Sequence, residues 1–400
     1  MPKNPTALIV GTGVGGLSAA IALKNIGWSA QLFEKNNGLR ATGSGLSVMS
    51  NASTAMKTLL GIDLNLKNYG AEIQNFEIRH KSGLLLKRLP MQEISNQQGT
   101  PCVCISREKL QQSLLDKLGD TNIAFEKRAI NYVETPKSVQ LNFDDGTSAH
   151  GDILIGADGF HSSIRESIGT QSIIQEAGYI CWLALVKYSH PQITPGYVVH
   201  YWGSGKRIGI IDIGNGWVYW WGTANMPSHE AREWKGTNND IAEFYIGWPD
   251  IIHDIILSTD STSIITVDAK DRTFPETWTK GRVTLLGDAA HPMLTSLGQG
   301  AGLSIEDAAV LGYVLRNTDD HVEALKKYEF IRQPRARTIV NASRELSEIE
   351  QYDSLILRIK RDVGIWLAPQ KKIRERLNKS LLFDNIAVQT TTNCKVFPQL

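Results

Sequence analysis

The segment Ala7-Leu8-Ile9-Val10-Gly11-Thr12-Gly13-Val14-Gly15-Gly16 decides the fold, because four apolar residues run directly into a G-x-G-x-x-G turn. A helix-forming stretch, 17–26, follows, and this strand–turn–helix order is the context in which the glycine pattern indicates dinucleotide binding. Gly11 permits the tight turn, Gly13 lets backbone amides approach a pyrophosphate, and Gly16 lets the helix pack closely on the strand. The sequence therefore predicts a phosphate site at the start of this helix.

A second strand supports this prediction. Residues 29–33 form an apolar-ended strand that stops at Glu34, about 20 residues beyond the glycines, where a carboxylate can accept hydrogen bonds from a ribose hydroxyl. The same carboxylate disfavours a 2′-phosphate, since two anions repel each other. A solvated glutamate at a strand end is the alternative interpretation of Glu34.

The bulk properties of the chain limit its class. A length of 400 residues suits two domains, or one domain with a large insertion. The 42 basic and 41 acidic residues leave a net charge of +1, so we expect no nucleic-acid partner. Four cysteines without C-x-x-C spacing, no metal-ligand pattern among the histidines and no apparent leader peptide or membrane span predict a cytoplasmic protein without a metal.

The predicted elements change in character along the chain. Alternating residues predict a hairpin at 73–89 and an antiparallel sheet, rich in Trp and Tyr, at 175–269. Apolar strands at 153–155 and 283–286 flank that sheet, and the pattern from Gly302 to Leu382 is mainly helical. A nucleotide-binding domain interrupted by a β-rich insertion accounts for this order.

Two further motifs accompany the glycine turn. The first is Asp158-Gly159-Phe160-His161-Ser162-Ser163-Ile164-Arg165, and the second runs from Gly287-Asp288-Ala289-Ala290-His291-Pro292 through Leu297-Gly298-Gln299-Gly300-Ala301-Gly302 to Asp307 and Leu311. The order and spacing of the three motifs resemble those of the single-component FAD-dependent aromatic hydroxylases, the para-hydroxybenzoate hydroxylase class. The resemblance covers nearly the whole chain.

This resemblance implies a fold and a division into domains. The fold is α/β, with a Rossmann-like FAD-binding domain of the GR2 type, an antiparallel β-sheet substrate domain that interrupts it, and a helical C-terminal region. We expect a monomer or a homodimer. The predicted limits are 1–72, 97–174 and 270–345 for the FAD-binding domain, 73–96 and 175–269 for the substrate domain, and 346–400 for the C-terminal region.

The resemblance also assigns residues to non-covalently bound FAD. Asp288 binds the polyol chain, with a helix N-cap as the alternative role, and the helix that begins near Gly298 faces the flavin ring. Arg107 reaches the phosphates and Arg40 lies near the ring; a solvated arginine is the alternative for each. The remaining expected contacts are Gly11, Gly13, Val14, Gly16, Glu34, Lys35, Ser44, Gly45, Ala129, Asp158, Gln299, Gly300, Ala301 and Gly302. His291 is interpreted as structural and Glu306 as a helix-surface charge.

The reaction implied by the resemblance is hydroxylation. NADH or NADPH binds transiently and reduces FAD, which then adds O2 to give a hydroperoxide that hydroxylates an aromatic substrate. Pro292 and Thr295 fall in the loop associated with oxygen transfer, and Thr295 stands where the family usually has a proline. Two alternatives remain: an FAD-dependent dehydrogenase or oxidase of the same fold, and a flavin-binding interaction protein without turnover.

Two segments bear on the substrate. Seven of the ten tryptophans lie between 182 and 248, which suits either the wall of a pocket for a flat ligand or the core of a sheet. Residues 206–210 followed by Tyr219 are similar to bacterial FAD-dependent urate hydroxylases, in which Arg207 and Tyr219 would hold the substrate. Residues 43–46 and Cys181-Trp182 are similar to alkylquinolone hydroxylases, so the sequence does not choose between these substrates.

The C-terminal stretch 355–379 combines Ile, Leu and Trp366 with eight basic residues. One interpretation is a weak contact with an anionic membrane surface that admits an apolar substrate. The alternative is a basic, solvated helix face that closes the domain.

Overall fold

The computed structural model describes residues 4–39 and 43–383. The strands are β1 (Thr6–Val10), β2 (Ser29–Phe33), β3 (Gly45–Val48), β4 (Ala71–Glu72), β5 (Asn75–His80), β6 (Leu85–Leu89), β7 (Val103–Ser106), β8 (Ile123–Ala124), β9 (Ala129–Glu134), β10 (Val139–Phe143), β11 (Ser148–Gly151), β12 (Ile153–Gly156), β13 (Ile174–Lys187), β14 (Tyr197–Trp202), β15 (Lys206–Asp212), β16 (Trp217–Asn225), β17 (Ile265–Arg272), β18 (Thr279–Lys280) and β19 (Val283–Leu285). The helices are α1 (Val14–Lys24), α2 (Ser50–Leu60), α3 (Met91–Gln98), α4 (Arg107–Leu118), α5 (Ser163–Ile168), α6 (Ser228–Glu233), α7 (Asn238–Glu243), α8 (Asp250–Leu257), α9 (Gly300–Arg316), α10 (His321–Glu350), α11 (Leu355–Leu367) and α12 (Gln370–Leu381).

A six-stranded sheet holds the N-terminal strand. Its order is β18-β19-β12-β1-β2-β8, and every pair except β18–β19 is parallel. The central strands are runs of buried apolar residues, as expected where helices cover both faces of a parallel sheet. This sheet, with α1 following β1, confirms the predicted Rossmann-like α/β class.

A seven-stranded sheet follows in the order β17-β13-β16-β15-β14-β5-β6. Its neighbours are antiparallel except β14 and β5, which run parallel, so the antiparallel prediction needs one correction. The prediction of strands throughout 175–269 is also wrong at 228–257, where α6, α7 and α8 form. In α8 the buried residues Ile251, Ile252, Ile255 and Ile256 recur at helical spacing, which the strand interpretation overlooked.

The two faces of this sheet have different environments. Val218 and Trp220 point into an apolar core shared with α6–α8, and Trp182 lies there as well. Tyr219 and Trp221 point to the opposite face, as alternation along β16 requires. Tyr219 lies against β3, because a Cβ on Gly45 would overlap its ring. The sheet core therefore holds four of the seven tryptophans (Trp182, Trp220, Trp234 and Trp248), whereas Trp217 and Trp221 share a face of β16 with Tyr219.

The end of the described chain is helical, as predicted. Helix α9 packs against α1 and α2, and α10 packs against α9. Among residues 4–39 and 43–383, no helix combines the length and the hydropathy that crossing a membrane requires. We retain the domain limits given above as a proposal.

Candidate functional site

The glycine turn joins β1 to α1. Gly11 has a positive φ of 101°, and a Cβ there would overlap the carbonyl oxygen of Ala157. A Cβ on Gly16 would overlap the carbonyl oxygen of Gly11, whereas the space beside Gly13 is open. Val14 is the first residue of α1, and no acidic side chain lies in its first turn. The turn is therefore open at the positive end of α1, as an anion site requires.

Glu34 lies at the end of β2, directly beside this turn. Its Oε2 accepts hydrogen bonds from the amide and the hydroxyl of Thr12, at 3.2 and 2.8 Å, and its Oε1 accepts one from Asn36 Nδ2 at 2.6 Å. Lys35 is exposed next to it. Ala129 is buried at the start of β9. The amide of Lys127, two residues earlier, donates a hydrogen bond to the carbonyl of Glu34. These hydrogen bonds hold the Glu34 carboxylate at the edge of the turn, so it is not a freely solvated side chain.

The second motif forms a tight turn that leads into α5. The Asp158 carboxylate accepts hydrogen bonds from the Ser162 hydroxyl at 2.5 Å and from the Ser163 amide at 2.8 Å. Arg165 is 1% exposed and donates to the carbonyl of Ala289 at 3.0 Å. Burial lowers the pKa of Arg165 to about 10. Asp158 therefore stabilises its own turn, and Arg165 links that turn to the third motif.

Asp288 follows β19 in a single 3-10 turn and its side chain is exposed. The alternative role as a helix N-cap is wrong, because Leu286 caps this turn and Gln299 caps α9. An Asp288 carboxylate oxygen lies 3.9 Å from the position that a Cβ on Gly300 would occupy. Asp288 and the first residues of α9, 300–302, thus border the same space.

Arg107 is the first residue of α4, and its amide donates to the carbonyl of Ser44 at 3.0 Å. Its Nε is buried and has no hydrogen-bond partner among the described residues. Gly45 follows Ser44 and lies against the ring of Tyr219. Arg40 lies outside the described residues. A buried guanidinium nitrogen without a partner fits an acceptor such as a cofactor phosphate.

A buried ionic network supports α9 from behind, and it corrects the interpretation of Glu306 as a surface charge. Glu306 is fully buried and contacts Arg332 at 2.7 Å and Arg335 at 2.6 Å. Asn51 donates to Glu306 at 2.6 Å and to the Gln299 side chain at 3.0 Å, next to the first turn of α9. This carboxylate therefore ties α9, α10 and α2 together.

His291 and Asp307 form the other half of this network. His291 Nε2 lies 2.6 Å from Asp307 Oδ2, and Arg332 Nε donates to Asp307 Oδ1 at 2.7 Å. Burial alone would raise the pKa of Asp307, but His291 and Arg332 lower it to about 2. The amide of Gly287 also donates to Asp307 at 3.0 Å. The contacts fit the structural interpretation of His291.

Arg207 lies on the sheet face that carries Tyr219 and Trp221. It forms a buried ion pair with Glu350, the last residue of α10, and donates to the hydroxyl of Ser296 at 3.2 Å. Its guanidinium carbon lies 4.9 Å from the centre of the Trp221 ring and 5.8 Å from that of Tyr179. Burial would lower the pKa of Arg207, but the adjacent Glu350 raises it above its ordinary value. The positive charge of Arg207 is therefore compensated within the protein.

The rest of this face is aromatic and apolar. His200 contacts Phe76 and Trp221 edge to face, each with ring centres 4.7 Å apart. Burial lowers the pKa of His200 to about 3, with a contribution from Arg207, so the imidazole is neutral at pH 7. Burial also raises the pKa of Tyr219, which keeps its phenol protonated. We call this surface, made by Arg207, His200, Tyr219 and Trp221, the aromatic face.

The loop before α9 connects the aromatic face to the third motif. Pro292 is buried and Thr295 is exposed, and Thr295 begins the 3-10 turn that contains Ser296. Sequence reasoning missed Ser296, His200 and Glu350. Strand pairing brings His200 to the aromatic face, because it lies opposite Gly209, two positions from Arg207. No local sequence motif marks Ser296, His200 or Glu350.

These positions fit a flavin dinucleotide. The glycine turn and α1 offer amides for a pyrophosphate, and Arg107 has a buried Nε that can donate to a phosphate oxygen. Glu34 lies at the strand end where a carboxylate is expected to bind a ribose. Asp288 and the start of α9 border one side of the space, and the aromatic face approaches it through Ser296 and Gly45.

Comparison with known proteins gives a consistent result. The sequence pattern of the FAD binding domain matches residues 4–343. The chain is 31% identical over 398 residues to the aurachin C monooxygenase/isomerase of Stigmatella aurantiaca, covering 100% of both chains. It is 31% identical over 345 residues to an FAD-dependent urate hydroxylase of Klebsiella pneumoniae, covering 86% of this chain and 90% of that one. The crystal structure of Klebsiella pneumoniae HpxO complexed with FAD and uric acid superposes with a TM-score of 0.87 at 28% identity, covering 94% of this chain and 96% of that one.

Proposed function

The chain belongs to the FAD binding domain family of flavin-dependent monooxygenases, and we propose that it uses NAD(P)H and O2 to hydroxylate a neutral, largely apolar heteroaromatic molecule. The ion pair between Arg207 and Glu350 carries the substrate part of this proposal. It removes the free positive charge that an anionic substrate would need on the aromatic face.

FAD is the cofactor of this reaction. We assign its pyrophosphate to the amides at the start of α1 and to Arg107, its ribose to Glu34 and its polyol chain to Asp288. We assign the positive end of α9 to the flavin ring, where it would favour negative charge on the reduced form. When bound, FAD accepts a hydride from NAD(P)H and activates O2. The protein contributes orientation, exclusion of water and control of charge.

The aromatic face orients the substrate. Trp221 and Tyr219 present flat surfaces for an aromatic ring, and Tyr219 offers a protonated phenol as a hydrogen-bond donor. His200 adds a polar but uncharged group. A neutral ring can enter this environment without leaving a buried charge unpaired, whereas a carboxylate would compete with Glu350 for Arg207.

The relatives leave the choice of substrate open. One is named for urate and another for aurachin C, and both are similar to this chain at the same level of identity. The neutral aromatic face supports a substrate without a formal charge, and it supports no single ring system. We also propose a cytoplasmic location, which the free, buried state of Cys102, Cys104 and Cys181 supports.

Matched pairs of substrates test the proposal. FAD-loaded protein is mixed with NADH or NADPH and with neutral purines or quinolones, each beside a carboxylated analogue. We expect the neutral member to stimulate NAD(P)H consumption with a kcat/KM at least about tenfold higher, corresponding to roughly 1.4 kcal/mol. Mass spectrometry should detect a gain of one oxygen atom. A preference for the carboxylated members would overturn the neutral-substrate assignment.

A further inference from the structure

Helix α11 carries its apolar residues on the outside. The exposed side chains Ile359, Val363 and Trp366 are 54, 47 and 61% accessible, and Leu355, Ile356 and Leu367 extend the same surface. Their spacing of three and four residues places them along one side of the helix. We call these six residues the outer stripe.

The inner side of α11 is polar, which shows that the helix is docked in this orientation. Arg361 is 6% exposed, donates to the carbonyls of Glu350 and Gly203 at 3.2 and 3.3 Å, and stacks over the Trp202 ring. Lys87 of strand β6 donates to the carbonyls of Trp366 and Ala368 at 2.9 Å, at the C-terminal end of the helix. These contacts fix the outer stripe toward solvent rather than toward the core.

The charge around the outer stripe differs from that of the rest of the chain. Residues 355–379 contain eight basic and two acidic residues, a net charge of +6, whereas the whole chain has only +1. Lys360 on α11 and Lys371, Lys372, Arg376 and Lys379 on α12 are exposed. The remaining chain is therefore net acidic, and the positive charge is concentrated on these two helices.

We propose that α11 and α12 bind the surface of an anionic lipid bilayer, with the outer stripe inserted among the lipids and the basic residues facing the headgroups. An apolar stripe beside clustered Lys and Arg has the composition of an interfacial helix. A symmetric contact between two copies through this surface would bring like charges together, which disfavours a dimer as the occupant. The proposal does not depend on the substrate or on turnover.

This surface adjoins the aromatic face. Trp202, beneath Arg361, pairs with Arg207 across strands β14 and β15, and the carbonyl of Glu350 accepts from Arg361. A bilayer bound at α11 would thus lie next to the end of the sheet that holds Arg207. An apolar substrate dissolved in the lipid would have a short path to the site.

Sedimentation with vesicles tests the proposal, using FAD-loaded full-length protein. One set of vesicles contains phosphatidylcholine and phosphatidylglycerol, and the other contains phosphatidylcholine alone. We expect binding to the anionic set, weakened by added salt, and at least roughly tenfold weaker binding to the neutral set. The double variant Ile359→Glu with Trp366→Glu should lose binding to the anionic set at least tenfold, as should Lys371→Glu with Lys372→Glu.

Matched controls separate this surface from general effects. Ile246→Glu changes an apolar residue elsewhere that is even more exposed. Lys117→Glu with Lys326→Glu changes the net charge by the same amount as Lys371→Glu with Lys372→Glu, and both controls should bind like the wild type. Wild-type protein that stays in solution with anionic vesicles would overturn the proposal. So would a dimer that Ile359→Glu with Trp366→Glu dissociates without any change in vesicle binding, or binding that appears only after residues 384–400 are removed.

Discussion

Arg207 and Glu350 lie 143 positions apart in the sequence, and their side chains meet as a buried ion pair beside the aromatic face. Removing water from two charges is costly, so such a pair persists where its geometry and additional hydrogen bonds offset that cost. Here Ser296 accepts a further hydrogen bond from Arg207. The pair sets the charge that a substrate meets, and it makes Glu350 a positioning residue for Arg207.

Glu350→Gln should change which substrates are accepted. The variant leaves Arg207 charged without its counter-ion. The kcat/KM for a carboxylated analogue should therefore rise relative to that for the neutral substrate with which it is paired. We expect the ratio of their kcat/KM values to shift toward the anion by at least about tenfold. Glu348→Gln, an exposed change on the same helix, should leave the ratio unaltered. An unchanged ratio in Glu350→Gln would mean that the pair does not control substrate charge.

His200 should make the free energy of unfolding depend on pH. The pKa of His200 is about 3 in the folded chain, and its ordinary value of 6.5 applies to the unfolded chain. Below pH 6.5 the unfolded chain therefore binds a proton at His200, whereas the folded chain keeps this imidazole neutral. Stability therefore falls as the pH decreases through this range. Between about pH 7 and about pH 5, the wild type should lose roughly 1–2 kcal/mol more than His200→Gln in urea denaturation. His229→Gln, at an exposed site, should behave like the wild type, and identical losses in all three proteins would contradict the prediction.

Single residues were predictable only where a motif or a family resemblance marked them. Arg207 and Tyr219 were identified by resemblance, and both lie on the aromatic face. Glu350 belongs to no motif, because its partner is distant in sequence and its burial depends on how α10 ends against the sheet. Glu306 was misjudged for the same reason: a helix pattern does not reveal two arginines arriving from another helix.

At the scale of single elements, a substitution at the start of α1 should weaken cofactor binding without affecting folding. A Cβ on Gly13 has open space in the protein but would stand where a pyrophosphate approaches the amides. Gly13→Ala should therefore weaken FAD binding at least about tenfold. The melting temperature of the apoprotein should stay close to that of the wild type. Gly364→Ala, an open position on α11, should change neither quantity, and undiminished FAD affinity in Gly13→Ala would contradict the assignment.

The contact between α9 and α10 should be sensitive to its buried charges. Glu306→Gln leaves Arg332 with one fewer counter-ion in a fully buried position. We expect a loss of about 3 kcal/mol in the free energy of unfolding, measured by urea denaturation. Glu323→Gln removes an exposed contact with Lys327 on α10 and should cost less than about 1 kcal/mol. Equal losses would show that the network is not a principal support of α9.

Elements with a clear period were predicted correctly. The alternation of β16 appears as expected. Helices α6–α8 were missed, because the aromatic residues in the segments between them suggested strands and each helix has only six to eight residues. Short elements of this kind are decided by packing against a sheet, which local propensity does not report.

At the scale of the whole molecule, three distant sequence motifs converge. Arg165 of the second motif donates to Ala289 of the third, and Gly11 of the first lies against Ala157, which precedes the second. The aromatic face meets this assembly through Ser296 and Gly45. The order of motifs predicted this convergence, whereas the charge balance of the aromatic face emerged only from the structure. A dehydrogenase or oxidase of the same fold, the alternative, would not insert an oxygen atom from O2 into its substrate.

Labelled oxygen tests the central claim most directly. The FAD-loaded protein is supplied with NAD(P)H, isotopically labelled O2 and the neutral heteroaromatic compound that most stimulates NAD(P)H consumption. The proposed function predicts a product that carries one labelled oxygen atom, formed in proportion to the NAD(P)H consumed. An unlabelled product, or recovery of all consumed O2 as hydrogen peroxide, would contradict monooxygenation.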